Sequence, residues 1–439
     1  MPQRTPKNKE IFNKNKNDTV KINKKQFGKS IHRKLSALSL GLCDKLFVMD
    51  DFKLNFQDTA TAFADKSSLE LKEKYRMFRL MNSPVLTNIG TKLTELAIRL
   101  RLPVRGLIKK TIFSQFCGGE TIEECEPTVK KLGESKIGTI LDYSVEGKSE
   151  EAVFEATKNE IYRTITRAKE DPDIPFAVFK VTGLGSYEVL EKASQGKELL
   201  KTEAAEWEAV KRRVLELCEY AHSLEQPVFI DAEESWVQDA IDNMAIEMME
   251  KFNRPRPIIY NTIQLYRHDR LEFLKKSHDK AKRDGYILAV KLVRGAYMEK
   301  ERMRAAEMNY PSPIQPEKAA TDRDFDQAID FCLENVEQIA FVAGTHNEDS
   351  VCRLAEKLHA KGISHNHPHV YFSQLYGMSD NLSYILADND YNVSKYVPYG
   401  PVRDAIPYLI RRAKENTAVI GQMSRELELI DKELKRRKV

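Results

Sequence analysis

The stretch that decides the fold is YILAVKLV, residues 286–293, together with seven shorter runs of the same character. Each run is rich in β-branched and aromatic residues, and each is followed by residues with the three-and-four spacing of an amphipathic helix. The other runs are TILDY (139–143), FAVFKV (176–181), PVFID (227–231), PIIYN (257–261), IAFVAG (339–344), HVYF (369–372) and SKYV (394–397). Eight strand–helix units predict an α/β fold of the (β/α)8 TIM-barrel type and not a doubly wound sheet.

The chain on either side of these units has a different pattern. Residues 1–34 are rich in Lys and Asn and predict a disordered basic arm, with a mitochondrial presequence as the alternative. Residues 35–131 show helical periodicity and predict a helical N-terminal region. We assign the barrel to residues 132–421 and a basic amphipathic helix to residues 422–439, which either packs on the barrel or lies on anionic lipid.

Composition narrows the class of partner. The 70 basic and 66 acidic residues nearly balance, so we do not expect a nucleic-acid partner. The six cysteines are scattered without a C-x-x-C pair and no secretory signal precedes them, which predicts reduced thiols in a cytoplasmic or matrix compartment. No apolar run approaches the roughly 18 residues that a membrane span needs. Membrane contact is therefore expected to be peripheral.

Polar or ionisable residues stand at the end of every predicted strand, where the active sites of such barrels lie. Any one of them alone is better explained as a solvated loop residue or a structural ion pair, but together they predict an active site at this mouth. They are Asp142, Lys180, Asp231, Gln264, Lys291 with Arg294, Thr345 with His346, Gln374, and Tyr396. The histidines at positions 365, 367 and 369 precede the seventh strand at the opposite end, so we expect no metal site.

Two adjacent arginines follow the last strand. Arg411 and Arg412 lie in YLIRRAKEN (408–416), just beyond KYVPYGP (395–401), and such a pair can hold a small carboxylate against an aromatic wall. No dinucleotide-binding fingerprint accompanies them, because TGLGSYE (182–188) has Glu188 where the last glycine belongs.

Six ordered motifs carry a family resemblance: IDAEESW (230–236), KLVRGAYMEKERMRA (291–305), GTHNEDS (344–350), QLYGM (374–378), KYVPYGP and YLIRRAKEN. Together they resemble proline dehydrogenase in its monofunctional form, over roughly residues 137–421. The resemblance implies a distorted barrel that binds FAD at its mouth, with Lys291, Arg294 and Lys318 as cations for the pyrophosphate. It further implies that the cofactor is contacted or lined by Gln264, Val293, Gly295, Ala296, Thr321, Thr345, His346, Asn347, Arg412 and Glu415.

The resemblance also implies a proline site. Arg411, Arg412 and Lys180 would hold the carboxylate, with Glu415 orienting either arginine and Asp231 orienting Tyr396. The apolar wall would be formed by Leu292, Tyr297, Leu375, Tyr396 and Tyr408. The implied reaction is oxidation of L-proline to 1-pyrroline-5-carboxylate by hydride transfer from C5 to flavin N5, with a membrane quinone as the final acceptor.

Three alternatives stay open. A hydroxyproline dehydrogenase of the same fold would have a smaller residue at the position of Tyr396. An aldolase barrel would use Lys180 or Lys291 to form a Schiff base. A non-catalytic basic adaptor would bind a membrane through both tails. For the favoured function we expect a cytoplasmic, peripherally membrane-associated enzyme, on the matrix side of the mitochondrial membrane if the host is eukaryotic.

Overall fold

The computed structural model describes residues 54–81, 105–143, 150–418 and 422–439, and the side chains within these ranges other than those of 413–424. Eight parallel strands form a closed barrel in sequence order. They are β1 Ile137–Tyr143, β2 Phe176–Phe179, β3 Val228–Ile230, β4 Ile259–Gln264, β5 Leu288–Val293, β6 Ile339–Gly344, β7 Val370–Leu375 and β8 Val393–Tyr399. β8 closes on β1 over seven residue pairs, from Val393 with Ile137 to Tyr399 with Tyr143. The predicted (β/α)8 barrel and its eight strands are confirmed.

Helices surround the barrel and precede it. Before β1 lie α1 Thr59–Ala62, α2 Ser68–Met81, α3 Arg105–Ile108, a π-helical turn Lys109–Phe113, α4 Ser114–Phe116 and α5 Ile122–Gly133. The connections between strands contain α6 Glu151–Glu170, a 3₁₀ turn Val181–Gly183, α7 Tyr187–Ser194, α8 Lys201–Ser223, α9 Ser235–Phe252, α10 Arg270–Asp284, α11 Met298–Glu307, α12 Lys318–Glu334, α13 Glu348–Ala360 and α14 Asp380–Asp388. After β8 come α15 Val402–Ala418 and α16 Gln422–Arg436.

The half of the barrel interior nearest the amino ends of the strands is filled with apolar side chains. Phe176 and Phe229 stack with ring centroids 4.5 Å apart, and Tyr260 meets both rings edge-on. Successive residues of a strand point to opposite faces, so residues two positions further along the same strands also point inward. Because these apolar layers are packed, the inward-facing residues at the carboxyl ends of the strands form the floor of a cavity.

A second apolar cluster joins the two ends of the described chain. Leu71 and Phe78 of α2 pack with Leu409 of α15 and with Leu429 and Ile430 of α16. Of the two expectations for the C-terminal helix, packing within the protein is the one that the structure shows. The basic arm at residues 1–34 lies outside the described residues, and the domain boundaries stay a prediction. Among the described helices, none combines the length and apolar character needed to cross a bilayer.

The cysteines of the described ranges are free thiols, as expected from their spacing. Cys117, Cys125, Cys218 and Cys332 are buried, and burial raises the pKa of each thiol. They are therefore protonated and chemically quiet at neutral pH.

Candidate active site

A cavity of about 690 Å³ opens at the carboxyl ends of the strands. This is the size and position expected for a ligand site in such a barrel. The predicted site residues that line it are Lys180, Asp231, Gln264, Lys291, Val293, Arg294, Gly295, Ala296, Tyr297, Lys318, Thr345, His346, Asn347, Leu375, Tyr396, Tyr408, Arg411 and Arg412. The structure thus brings together, around one cavity, residues that are spread over more than half of the sequence.

Two predicted residues do not reach this cavity. Leu292 stands between Lys291 and Val293, both of which line it, so the two-residue period of β5 turns Leu292 to the outer face of the barrel. Its assignment to the substrate wall is wrong. Thr321 lies one turn beyond Lys318 on α12, where it is buried in the helix packing away from the cavity wall. The side chain of Glu415 lies outside the described residues.

Asp231 is the centre of the cavity floor. The Tyr396 hydroxyl donates a 2.5 Å hydrogen bond to Oδ2, and the Lys291 ammonium forms an ion pair with Oδ1. Burial alone would raise the pKa of Asp231, but the ammonium groups of Lys291 and Lys180 outweigh it and lower that pKa. The carboxylate therefore stays ionised. The predicted contact between Asp231 and Tyr396 is present.

Lys180 is paired more closely with Asp142, a strand-end residue to which we gave no individual role. Its ammonium lies 2.9 and 3.0 Å from the two carboxylate oxygens of Asp142 and 3.6 Å from Oδ2 of Asp231. The floor therefore holds two lysines and two aspartates, whose formal charges sum to zero. Burial beside Asp142 and Asp231 raises the pKa of Tyr396 well above its usual value, so its phenol stays protonated.

The three cations expected at the pyrophosphate do not form one group. Lys291 lies on the floor with Asp231, whereas Arg294 and Lys318 both pair with Asp322, at 2.7 and 2.5 Å. Arg294 also donates to Thr345 Oγ1 at 2.6 Å, and its guanidinium carbon lies 4.3 Å from the Phe325 ring centroid. Asp322 was not predicted. Its only sequence signal is its position four residues after Lys318 on a helix.

His346 is held through both ring nitrogens. Nδ1 lies 2.9 Å from Ser379 Oγ, and Nε2 accepts a 3.4 Å hydrogen bond from the Leu375 backbone N–H. Burial, aided by the positive charges of Lys395, Arg412 and Arg294, lowers the pKa of His346 to about 3. The ring is therefore neutral at physiological pH.

The loop after β3 fixes the orientation of Gln264. The side-chain amide of Gln264 donates to the Glu233 carbonyl oxygen at 2.6 Å, and its Oε1 accepts from the Ala296 N–H at 3.2 Å. Glu233 is itself buried, and burial raises the pKa of its carboxyl to about 7, although Thr182 hydrogen-bonds to it. Glu233 lies in the IDAEESW motif, but we had given it no role.

Gly295 is required by its surroundings. Its φ angle is +136°, and a Cβ added there would lie 2.5 Å from the Tyr266 ring. The family resemblance implied that Gly295 contacts the cofactor, and a residue without a side chain permits close approach of a ring. The ring that packs against it is that of Tyr266 from the protein.

The two arginines of α15 line the side of the cavity. The guanidinium carbon of Arg411 lies 5.8 Å from the Tyr297 ring centroid, and that of Arg412 lies 5.6 Å from the Tyr408 ring centroid. Both cations are thus presented beside aromatic rings, as the sequence indicated.

The histidine tract before β7 is used in packing. His365 stacks on Tyr391 at 4.2 Å, and His369 Nδ1 lies 2.7 Å from the Val336 carbonyl oxygen. Within residues 54–81, 105–143, 150–418 and 422–439, no group of three or more potential ligands is arranged to hold a metal ion.

Comparison with known proteins agrees with this geometry. The chain is 34% identical over 337 residues to the carbapenem antibiotics biosynthesis protein CarD of Pectobacterium carotovorum, covering 76% of this chain and 87% of that protein. It is 33% identical to proline dehydrogenase 1, mitochondrial, of Dictyostelium discoideum (87% and 74% covered) and 31% identical to hydroxyproline dehydrogenase of Xenopus laevis (88% and 90% covered).

Solved structures show the same fold. Proline utilization A of Bdellovibrio bacteriovorus, inactivated by N-propargylglycine, superposes with a TM-score of 0.64 at 20% identity. The match covers 87% of this chain and 42% of that one, so the chain spans less than half of that protein. The family model described as proline dehydrogenase matches residues 125–425, which include every strand of the barrel and the whole cavity floor. The chain therefore belongs to the proline dehydrogenase family.

Proposed function

We propose that this enzyme oxidises L-proline to 1-pyrroline-5-carboxylate with FAD as its cofactor and a membrane quinone as the final electron acceptor. The observation that carries the proposal is the pair Arg411 and Arg412, set beside aromatic rings and sharing one cavity with the floor of Asp231, Lys291 and Tyr396. Family membership supplies the reaction class.

The site has the features that proline requires. Proline combines a carboxylate with an apolar ring, so it needs cations at one end and an apolar surface beside them. The two arginines supply the cations, and Tyr297, Leu375 and Tyr408 supply the surface. Lys180 is a weaker candidate for the carboxylate than we expected, because Asp142 already pairs with it through both carboxylate oxygens.

The residues around the cavity also fit a flavin. When bound, FAD supplies the two-electron acceptor for oxidation of a carbon–nitrogen bond. Arg294, Lys318 and Thr345 would hold its phosphates, Gln264 and the Ala296 backbone would face the ring system, and the neutral His346 would accommodate it without adding charge. The ionised Asp231 and the protonated Tyr396 hold the floor in a fixed arrangement, against which the protein would orient the substrate.

Colour is the direct test of this function. The purified protein should be yellow, or become yellow when FAD is added, and should bleach when L-proline is added without oxygen. A protein that binds no flavin would refute the cofactor assignment. A flavoprotein that is not reduced by L-proline would refute the substrate assignment.

Hydroxyproline is the second candidate substrate, because one relative is named for that activity. We favour proline, since Tyr396 fills the floor and its hydroxyl is committed to Asp231. Tyr396→Ser should raise the ratio of kcat/KM for hydroxyproline to that for proline. A ratio that stays constant would remove Tyr396 from the substrate wall.

The aldolase alternative is disfavoured by the pairing of both candidate lysines. Lys180 and Lys291 form ion pairs with Asp142 and Asp231, whereas a Schiff base requires a free amine. If borohydride traps a carbonyl substrate on either lysine, the aldolase function would again be a candidate.

Peripheral membrane contact, on the cytoplasmic face or the matrix face, belongs to the same proposal. Sedimentation with vesicles that contain anionic lipid, measured before and after reduction by proline, tests it. The apolar face of α16 is packed inside the protein, so the contact must use another surface.

A further inference from the structure

One wall of the cavity comes from outside the barrel. Arg425 and Glu426 lie in the first turns of α16 and line the cavity, while Leu429, Ile430 and Leu434 further along the helix are buried in the cluster shared with α2 and α15. Arg425 also contacts Glu348, the first residue of α13. The C-terminal helix therefore belongs to the site as well as to the outer packing.

Glu426 makes a specific contact from this wall. It is 4% exposed, and its carboxylate accepts a hydrogen bond from the backbone N–H of Ser379. Ser379 has φ +51° and ψ 44°, a left-handed conformation that non-glycine residues seldom adopt. Such a conformation persists only where neighbouring contacts hold it, and Glu426 provides one of these contacts.

Ser379 in turn holds His346. Nε2 of the neutral ring accepts a hydrogen bond from the Leu375 N–H, so the ring proton lies on Nδ1, which donates to Ser379 Oγ at 2.9 Å. His346 lines the cavity and is one of the residues proposed above to face the cofactor. A chain of two hydrogen bonds thus connects α16 to the cofactor wall.

The same contact lies in a cluster of buried charges. Asp380, next to Ser379, pairs with Lys74 of α2 at 2.7 Å and with Lys395 of β8 at 3.0 Å. The side chains of Lys74, Asp380, Lys395 and Glu426 are at least nine-tenths buried. Burial raises the pKa of Glu426, whereas Lys74 and Lys395 favour its ionised form, in which the formal charges of the four groups sum to zero. Because the four charges come from α2, α14, β8 and α16, the cluster is complete only when all four elements are in place.

We propose that Glu426 is a positioning residue of the flavin site, so that docking of α16 and retention of FAD are coupled. The inference rests on the proposed use of FAD. Coupling between two binding events is reciprocal, so FAD should hold α16 in place by the same factor by which a docked α16 strengthens FAD binding. A helix with a purely structural role would stabilise the protein without this reciprocity.

The test compares Glu426→Ala with Glu428→Ala, a substitution at an exposed position two residues away on the same helix. FAD affinity is measured by fluorescence titration of the apoprotein, and hydrogen exchange of residues 425–436 is measured with and without FAD. Hydrogen bonds to charged groups imply that Glu426→Ala weakens FAD binding on the order of tenfold or more. Glu428→Ala should bind FAD like the wild type. In the wild type, FAD should slow exchange in α16, and in Glu426→Ala this slowing should shrink.

Two results would overturn the coupling. One is a Glu426→Ala protein that unfolds at a lower denaturant concentration than the wild type, both with and without FAD, while its FAD affinity equals that of the wild type. The other is exchange in α16 that is the same with and without FAD. If Glu426→Ala does not fold, Glu426→Leu takes its place, because it keeps most of the side-chain volume and removes the acceptor for the Ser379 N–H, and the same two results decide. A wild-type protein that binds no FAD refutes the proposed function, which is a different observation from an unchanged variant.

Discussion

Replacing Asp231 by asparagine should expose the energetics of the cavity floor. Asp231 and Lys291 are 7% and 6% exposed and form an ion pair, so the substitution leaves the Lys291 ammonium buried without its counter-charge. Removing one partner of a buried pair costs about 3–5 kcal/mol. Lys180 loses its 3.6 Å contact with Asp231 but keeps Asp142, so most of the loss falls on Lys291.

The pH dependence of the effect has a definite sign. Burial raises the pKa of Asp231, but Lys291 and Lys180 lower it overall from its usual value of 3.8. A lowered folded-state pKa means that the stabilisation is fully present above the unfolded-state value and is lost as pH falls through the folded-state value. The difference between wild type and Asp231→Asn should therefore be constant near neutral pH and shrink below about pH 4.

Urea unfolding of the apoprotein measures the loss, and a double variant identifies its cause. Asp231→Asn with Lys291→Met removes both charges, so most of the lost stability should return, because an apolar replacement of a buried pair is often neutral. Catalytic activity should not return. Asp279→Asn, at an exposed position on α10, should change stability by less than about 0.5 kcal/mol. A double variant that is no more stable than Asp231→Asn would refute the ion-pair account.

Three further predictions follow from the site and its surroundings. Arg411→Met should raise the KM for proline, measured by steady-state kinetics, about tenfold or more because a charge-assisted contact is lost, while Arg403→Met at an exposed position of the same helix should leave it unchanged. An unchanged KM for Arg411→Met would refute the binding of the substrate carboxylate by Arg411. The pKa of His346 is lowered to about 3, so the unfolded chain takes up a proton near pH 6.5 before the folded protein does, and stability falls as pH drops from about 6.5 towards 3. His346→Asn should flatten that dependence in acid unfolding curves, and an unchanged slope would contradict a ring that stays neutral in the folded protein. Gly295→Ala should lower the free energy of unfolding, measured in urea, by about 2 kcal/mol or more, because the added Cβ meets the Tyr266 ring. Gly196→Ala, at φ +61° with no neighbour within 4 Å, should lower it less, and equal losses would show that the backbone angle alone matters.

Much of the fold could be read from local pattern. All eight strands fall where β-branched runs precede helical periodicity, because the two-residue and 3.6-residue periods are properties of short segments. The barrel rule then placed Lys180, Asp231 and Tyr396 at one mouth without any contact information. The assignment of Leu292 to the substrate wall came with the family resemblance and is contradicted by local alternation, because Lys291 and Val293 face the cavity and the residue between them faces outward.

Most partners of the site residues could not be found from the residues alone, and the contact between Asp231 and Tyr396 was expected only from the family resemblance. Asp142 and Lys180 are 38 residues apart, and Tyr396 and Asp231 are 165 residues apart. Only the folded barrel brings the ends of its strands around one cavity, where Asp142 meets Lys180 and Asp231 meets Lys291. Glu426 lies beyond the last predicted site residue, Glu415, and its position in an amphipathic helix indicated only packing or a lipid surface.

The sequence by itself determined the order of strands and helices, the end of the barrel at which chemistry occurs, and the family, because these depend on local periodicity and on residues that keep fixed spacings. Only the tertiary structure decided that Lys180 is committed to Asp142, that Lys291 is separated from Arg294 and Lys318, and that α16 forms a wall of the cavity. The physical reason is that electrostatic and hydrogen-bonding energies depend on distance and burial, and a chain acquires both only when segments remote in sequence are packed together.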